Sequence, residues 1–142
     1  MKNIFEECNY DVDTFLEKYG ESREITLEEA NIIYSFCITF IKYNDKYKFL
    51  LGSGRSSCKP CIFKTASISS WIFWNTDERR GFYDAKCFDN CYDVCIYVFN
   101  EFLDKEQVKE SIIVFNEQLN KEKTELLLKE YANKRRYTYK KE

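Results

Sequence analysis

The chain has 142 residues, of which 44% are apolar, 18% aromatic and 32% charged, with a formal net charge of −2. That apolar content excludes global disorder, and the length fits a single domain spanning 1–142 that buries on the order of two-thirds of its unfolded surface. The absence of histidine excludes imidazole-activated nucleophiles, histidine-ligated metals and histidine proton shuttles.

In chain order, Asp11 or Asp13 opens a short helix through Phe15, Leu16 and Tyr19, and Gly20 is placed to end it. Thr26-Leu-Glu-Glu29 matches a capping box, with a hydroxyl at the N-cap and a carboxylate three residues on. Leu27, Ala30, Ile33, Cys37 and Phe40 follow at helical spacing, and we expect a helix to about residue 42. The β-rich run 38–43 leaves open a hairpin with 46–51 through Asn44-Asp45, and a strand is expected at 46–51 in either case. Residues 52–60 read as the main loop, and Cys61 to Ile68 and Trp71 to Trp74 read as strands. A polar turn over 75–81 leads to Phe82 and Tyr83.

Residues 92–103 form the densest apolar run. It reads as a central buried strand, with Val94, Ile96 and Val98 on one face and Cys95, Tyr97 and Phe99 on the other. Asp104-Lys-Glu-Gln107 repeats the capping logic, and Val108, Ile112, Phe115 and Leu119 form one apolar stripe. This stripe is expected to pack on the sheet, or part of the 105–134 helical region to seal a homodimer. Leu126, Leu127 and Tyr131 continue a further helical pattern to about Lys134, and 134–142 reads as a flexible basic tail. The expected fold class is therefore α+β, a mainly antiparallel sheet packed against N- and C-terminal helices.

Charge is unevenly spread: residues 1–30 carry nine acids against three bases, and 121–142 carry eight bases against four acids. The start of the chain has no leader-like pattern and no run reaches the roughly 20 apolar residues a membrane helix needs. A cytoplasmic setting without a membrane partner is expected. Seven cysteines are then expected as free thiols.

Four constellations carry chemistry. Cys58-x-x-Cys61 with Cys87 and Cys91 offers four thiolates to one zinc, set against the reading of buried cysteines as small hydrophobes. The same Cys58–Cys61 pair has the spacing of a redox dithiol but lacks a strand-to-helix setting. Gly52 to Ser57, with Arg55, offers a backbone nest for an anion without the ending of a P-loop. In the tail, Lys134, Arg135, Arg136, Tyr137, Tyr139 and Lys140 interleave bases and rings, as single-stranded nucleic acid requires.

The fourth is Trp71 and Trp74, then Asp77, Glu78, Arg79 and Arg80, then Phe82 and Tyr83. Trp, Tyr and Arg are the residues enriched at binding hot spots: exposed, the cluster reads as such a surface, and buried, it is core, with the ring count leaning to partial exposure. Lys, Asn, Ile and Tyr richness is what an AT-rich genome gives, and small acidic domains from such genomes often serve as binders. The first expectation is thus a non-enzymatic interaction module without a cofactor. It would be an inhibitor of the immunity or phage anti-defence type that blocks a larger protein such as a nuclease, with N-terminal carboxylates mimicking phosphates. The alternatives are a nucleic-acid-binding module using the basic tail, stabilised by zinc, and a small enzyme using carboxylates or a cysteine.

Overall fold

The computed structural model describes residues 3–44, 50–54, 58–135 and 138–139, with the backbone alone at 50, 138 and 139. In chain order the elements are α1 (Ile4–Glu7), α2 (Val12–Tyr19), β1 (Glu21–Ser22), β2 (Glu24–Ile25), α3 (Leu27–Tyr43) and β3 (Leu50–Leu51). They continue with β4 (Pro60–Thr65), β5 (Trp71–Thr76), β6 (Phe82–Phe88), α4 (Cys91–Phe102), α5 (Lys105–Asn120), α6 (Glu125–Lys134) and β7 (Thr138–Tyr139). The fold is α+β with a mainly antiparallel sheet, as expected. Contacts divide the chain into two compact units, residues 1–22 with 48–90 and residues 23–47 with 91–142.

The first unit is built on the sheet, in which β1, β4, β5 and β6 are antiparallel neighbours in that order and β3 pairs with β4 in parallel. Alternation along β4 and β5 sends Cys61, Phe63, Ile72 and Trp74 to one face, where Phe82 joins them. There they pack with Phe5 of α1 and with Val12, Phe15 and Tyr19 of α2. Ile62, Trp71 and Phe73 fall on the other face and are also buried. Two buried faces explain the high aromatic content of these strands.

Caps decide the helices of this unit. The Asn3 side chain accepts from the amides of Phe5 and Glu6 at 3.0 and 2.9 Å, and that of Asp11 accepts from Thr14 N at 2.9 Å. Gly20 ends α2 in the left-handed region at φ 72°, and a Cβ there would lie 3.0 Å from the Cβ of Ala66. Both φ and space therefore call for glycine. Of the strand expected at 46–51, residues 46–49 lie outside the described residues and the remainder is β3.

The second unit is helical and built around α3. Its capping box is formed: Thr26 Oγ1 accepts from Glu29 N at 3.1 Å, and Glu29 Oε1 accepts from Thr26 N at 3.0 Å. Phe36 meets Phe99 of α4 at 5.2 Å between centroids and Phe115 of α5 at 6.5 Å. Tyr34 meets Tyr131 of α6 edge-on at 5.1 Å. The Asn31 amide donates to the Leu119 carbonyl at 3.2 Å, and that of Asn44 donates to the Phe102 carbonyl at 3.3 Å.

The run 92–103 is corrected: it is helix α4, not a central strand. Its buried positions are Cys91, Val94, Cys95, Val98 and Phe99, the i, i+3, i+4, i+7, i+8 stripe of a helix. Asp93, Asn100 and Glu101 are exposed. On α5, Phe115 is fully buried, while Val108, Ile112 and Leu119 are half-buried. On α6 the expected stripe is shifted by one residue, because Leu128 and Ala132 are buried while Leu126 and Leu127 are 66% and 39% exposed. A run of three leucines leaves the phase of a helix undetermined. In the expected tail, β7 pairs in parallel with β2. Among the described residues no helix is long and apolar enough to cross a membrane.

Candidate functional site

The turn joining β5 to β6 lies at one end of the sheet. Its backbone closes through Asp77 N to the Gly81 carbonyl at 3.0 Å and Arg80 N to the Asp77 carbonyl at 3.3 Å. The Asp77 carboxylate then accepts from the amides of Arg79 and Gly81 at 2.8 and 2.9 Å. Asp77 is thus committed to holding the turn. A Cβ at Gly81 would lie 2.8 Å from Asp77 Oδ2, so glycine there lets the carboxylate approach. Arg80, left-handed at φ 64°, donates Nη1 to Asp13 Oδ2 at 3.0 Å across an exposed pair.

These contacts sort the eight residues singled out from the sequence. Trp71, Trp74 and Phe82 are only 1%, 0% and 3% exposed, so for these three rings the core alternative holds. Trp74 stacks on Phe82 with centroids 4.2 Å apart and gives its indole Nε1–H to the Ser53 carbonyl at 2.8 Å. These rings are core. Asp77 is half-buried, whereas Glu78, Arg79, Arg80 and Tyr83 are exposed, Tyr83 at 52%.

Tyr10 was not singled out and belongs with them. Its carbonyl accepts from Phe82 N at 2.9 Å and its ring lies 5.8 Å from that of Phe82, yet 45% of the residue is exposed. Asn9, Tyr10, Arg80 and Asp84 all adopt positive φ, between 52° and 64°. Tyr10 and Arg80 held there cost of order 1–3 kcal/mol each, and such residues cluster at functional sites, whereas Asn9 and Asp84 are of the types that enter this region readily.

The outer edge of β6 bears on how this end can be used. The Asp11–Gly81 bridge meets its start, and Tyr83, Asp84, Lys86 and Cys87 are exposed beyond it. The pairing of β6 with β5 shifts register between Phe73 and Asn75, and Asp84 is left-handed. A bulge and a lysine are devices that discourage strand addition.

The other candidates are dispersed. Cys58 and Cys87 are exposed and Cys61 buried in the sheet unit, while Cys91 is buried in the helical unit. Among the described residues no three His, Cys, Asp or Glu side chains come together to hold a metal ion. Of the expected anion nest, residues 55–57, Arg55 among them, lie outside the described residues; within 52–54, Ser53 N donates to the chain's own Glu21 Oε1 at 3.1 Å. Of the basic tail, Lys134 and Arg135 are exposed; Arg136, Tyr137 and Lys140 lie outside the described residues, as does the side chain of Tyr139.

The N-terminal acids are largely engaged as well. Glu7 Oε2 accepts from Lys18 Nζ at 2.9 Å and from the Tyr19 hydroxyl at 3.2 Å, Asp11 caps α2 and Asp13 holds Arg80. The bond to Glu7 raises the Lys18 pKa, and burial raises those of Tyr19 and Cys8. Comparison with protein-family models, with curated proteins and with solved structures finds no match.

Proposed function

We propose that this chain is a non-enzymatic interaction module that binds and masks a larger protein through the end of the sheet where the β5–β6 turn lies. The observation that carries this reading is the coincidence of exposed Tyr10, Tyr83 and Arg79 with four left-handed residues at one place. Tyrosine and arginine give large contact area with a polar handle, and a strained backbone presents them at no further cost in ordering. Arg80 and Asp77 are spent on fixing the turn, which leaves Arg79, Glu78 and the two tyrosines to meet the partner.

The test uses full-length protein as bait in an extract of cells that express it, with cross-linking from a photoreactive group at position 83. A single cross-linked protein is expected, with at least a tenfold loss of capture (about 1.4 kcal/mol) in a variant carrying Tyr83→Ala and Arg79→Glu. Capture that survives both substitutions in a folded protein removes this surface from the proposal.

A further inference from the structure

Cys58 and Cys61 differ sharply in setting. Cys58 is exposed and left-handed at φ 56°, with its amide donating to Thr76 Oγ1 at 3.1 Å. Cys61 is fully buried opposite Trp74, and its thiol donates to the Lys59 carbonyl at 3.1 Å, turning back towards the segment that precedes it. An exposed thiol three residues from a buried one has the pattern of an attacking cysteine with its resolving partner.

The ladder gives the spacing. Cys61 lies at the level of Trp74 and the Cys58 amide at the level of Thr76, so three residues of chain advance only about two ladder positions. Two positions are a rise of roughly 6.8 Å along the strand, already the edge of the roughly 4.4–6.8 Å between Cα atoms that a disulfide spans, so closing the bond requires Cys58, which precedes β4, to move towards Cys61. A bond at that limit is strained, and strained disulfides are the readily reduced, regulatory ones rather than permanent staples. Cys8, Cys91 and Cys95 are buried, and Cys87 on β6 faces Ile72 rather than a thiol.

We propose that Cys58 and Cys61 form a reversible thiol–disulfide switch, charged by a small-molecule disulfide such as oxidised glutathione. The Cys58 thiolate attacks one sulfur of that disulfide and forms a mixed disulfide, releasing one glutathione thiolate. Cys61 gives its proton to water, attacks the Cys58 sulfur and expels the second thiolate. The protein dithiol loses two electrons and one glutathione disulfide becomes two thiols. Forming the bond draws Cys58 away from Thr76, the last residue of β5 before the turn. The proposal is independent of the partner reading.

The experiment incubates reduced full-length protein with oxidised glutathione, blocks the remaining thiols by alkylation and reads the digest by mass spectrometry. The expected result is an internal Cys58–Cys61 disulfide in the wild type and in Cys87→Ser. It should be absent from the surface variant Cys58→Ser and lost when excess reduced glutathione is added. Cys58 found only as its glutathione adduct, bonded to Cys87 of another copy, or still fully alkylated overturns the proposal. So does a bond that excess reduced glutathione leaves intact.

Discussion

Trp74 and Tyr83 stand close together in β5 and β6, yet they serve different ends. Replacing Trp74 by Phe removes the indole N–H from the Ser53 carbonyl, which is buried with its residue only 6% exposed. Leaving a buried acceptor without its donor costs about 1–3 kcal/mol, and Trp74→Ala costs about 3–5 kcal/mol through the cavity it opens. Tyr83→Ala, at a residue 52% exposed, changes stability by no more than about 0.5 kcal/mol. Urea unfolding of the variants measures the contrast. A Tyr83→Ala variant as unstable as Trp74→Phe makes Tyr83 a structural residue and withdraws it from the binding surface. Asp77→Ala should cost about 0.5–1.5 kcal/mol, since two turn amides within reach of water lose their acceptor. Part of this site is legible in the sequence: Arg79 and Tyr83 sit in a polar turn between strands. The burial of Trp71, Trp74 and Phe82 is not, because it depends on the sheet being covered on both faces. Nor is Tyr10, which is brought there by two successive left-handed residues, a conformation with little signature beyond Asn9.

At the scale of elements, local chemistry is what the sequence transmits best. The Thr26–Glu29 and Asp104–Gln107 boxes form as their spacing implies, because a cap is completed within four residues. Thr26→Ala should therefore cost about 1 kcal/mol. The run 92–103 shows the limit. A short stretch with few polar residues fits period 2 and period 3.6 alike, and its length and the spacing of Asp93, Asn100 and Glu101 are the cues that favour a helix. The two assignments differ in a measurable way. A strand would set Tyr97 and Phe99 on one face and make them equally costly to truncate. In helix α4, Phe99 is fully buried among Phe36, Phe40 and Phe115 whereas Tyr97 is half-buried. Phe99→Ala should cost about 3–5 kcal/mol and Tyr97→Ala clearly less. Equal losses in urea melts would favour the strand.

At the scale of the whole molecule, the absence of histidine leaves the chain with few side chains that change charge near neutrality, since carboxylates titrate near pH 4 and thiols above about pH 8. The groups with displaced pKa values lie at the alkaline end. Burial raises those of Cys8 and Tyr19 in the sheet unit and those of Cys37, Tyr43 and Tyr131 in the helical unit. Each stays neutral in the folded protein while the unfolded chain begins to ionise, from the ordinary values of 9.0 for cysteine and 10.0 for tyrosine. The folded state then holds more protons than the unfolded one, so their contribution is intact below those values and is lost as pH rises through the raised ones. Lys18, raised by its bond to Glu7, acts in the same sense above 10.5. Burial lowers the pKa of Lys123, which acts in the opposite sense as one group against six. The midpoint of thermal unfolding should be level between about pH 6 and 8 and should fall above about pH 9, where the unfolded thiols begin to ionise. Circular dichroism melts of the reduced protein at constant ionic strength give the profile. A midpoint that drops between pH 6 and 8 would mean that some other group governs stability there, and a midpoint that holds to pH 11 would mean that these side chains are not buried in solution.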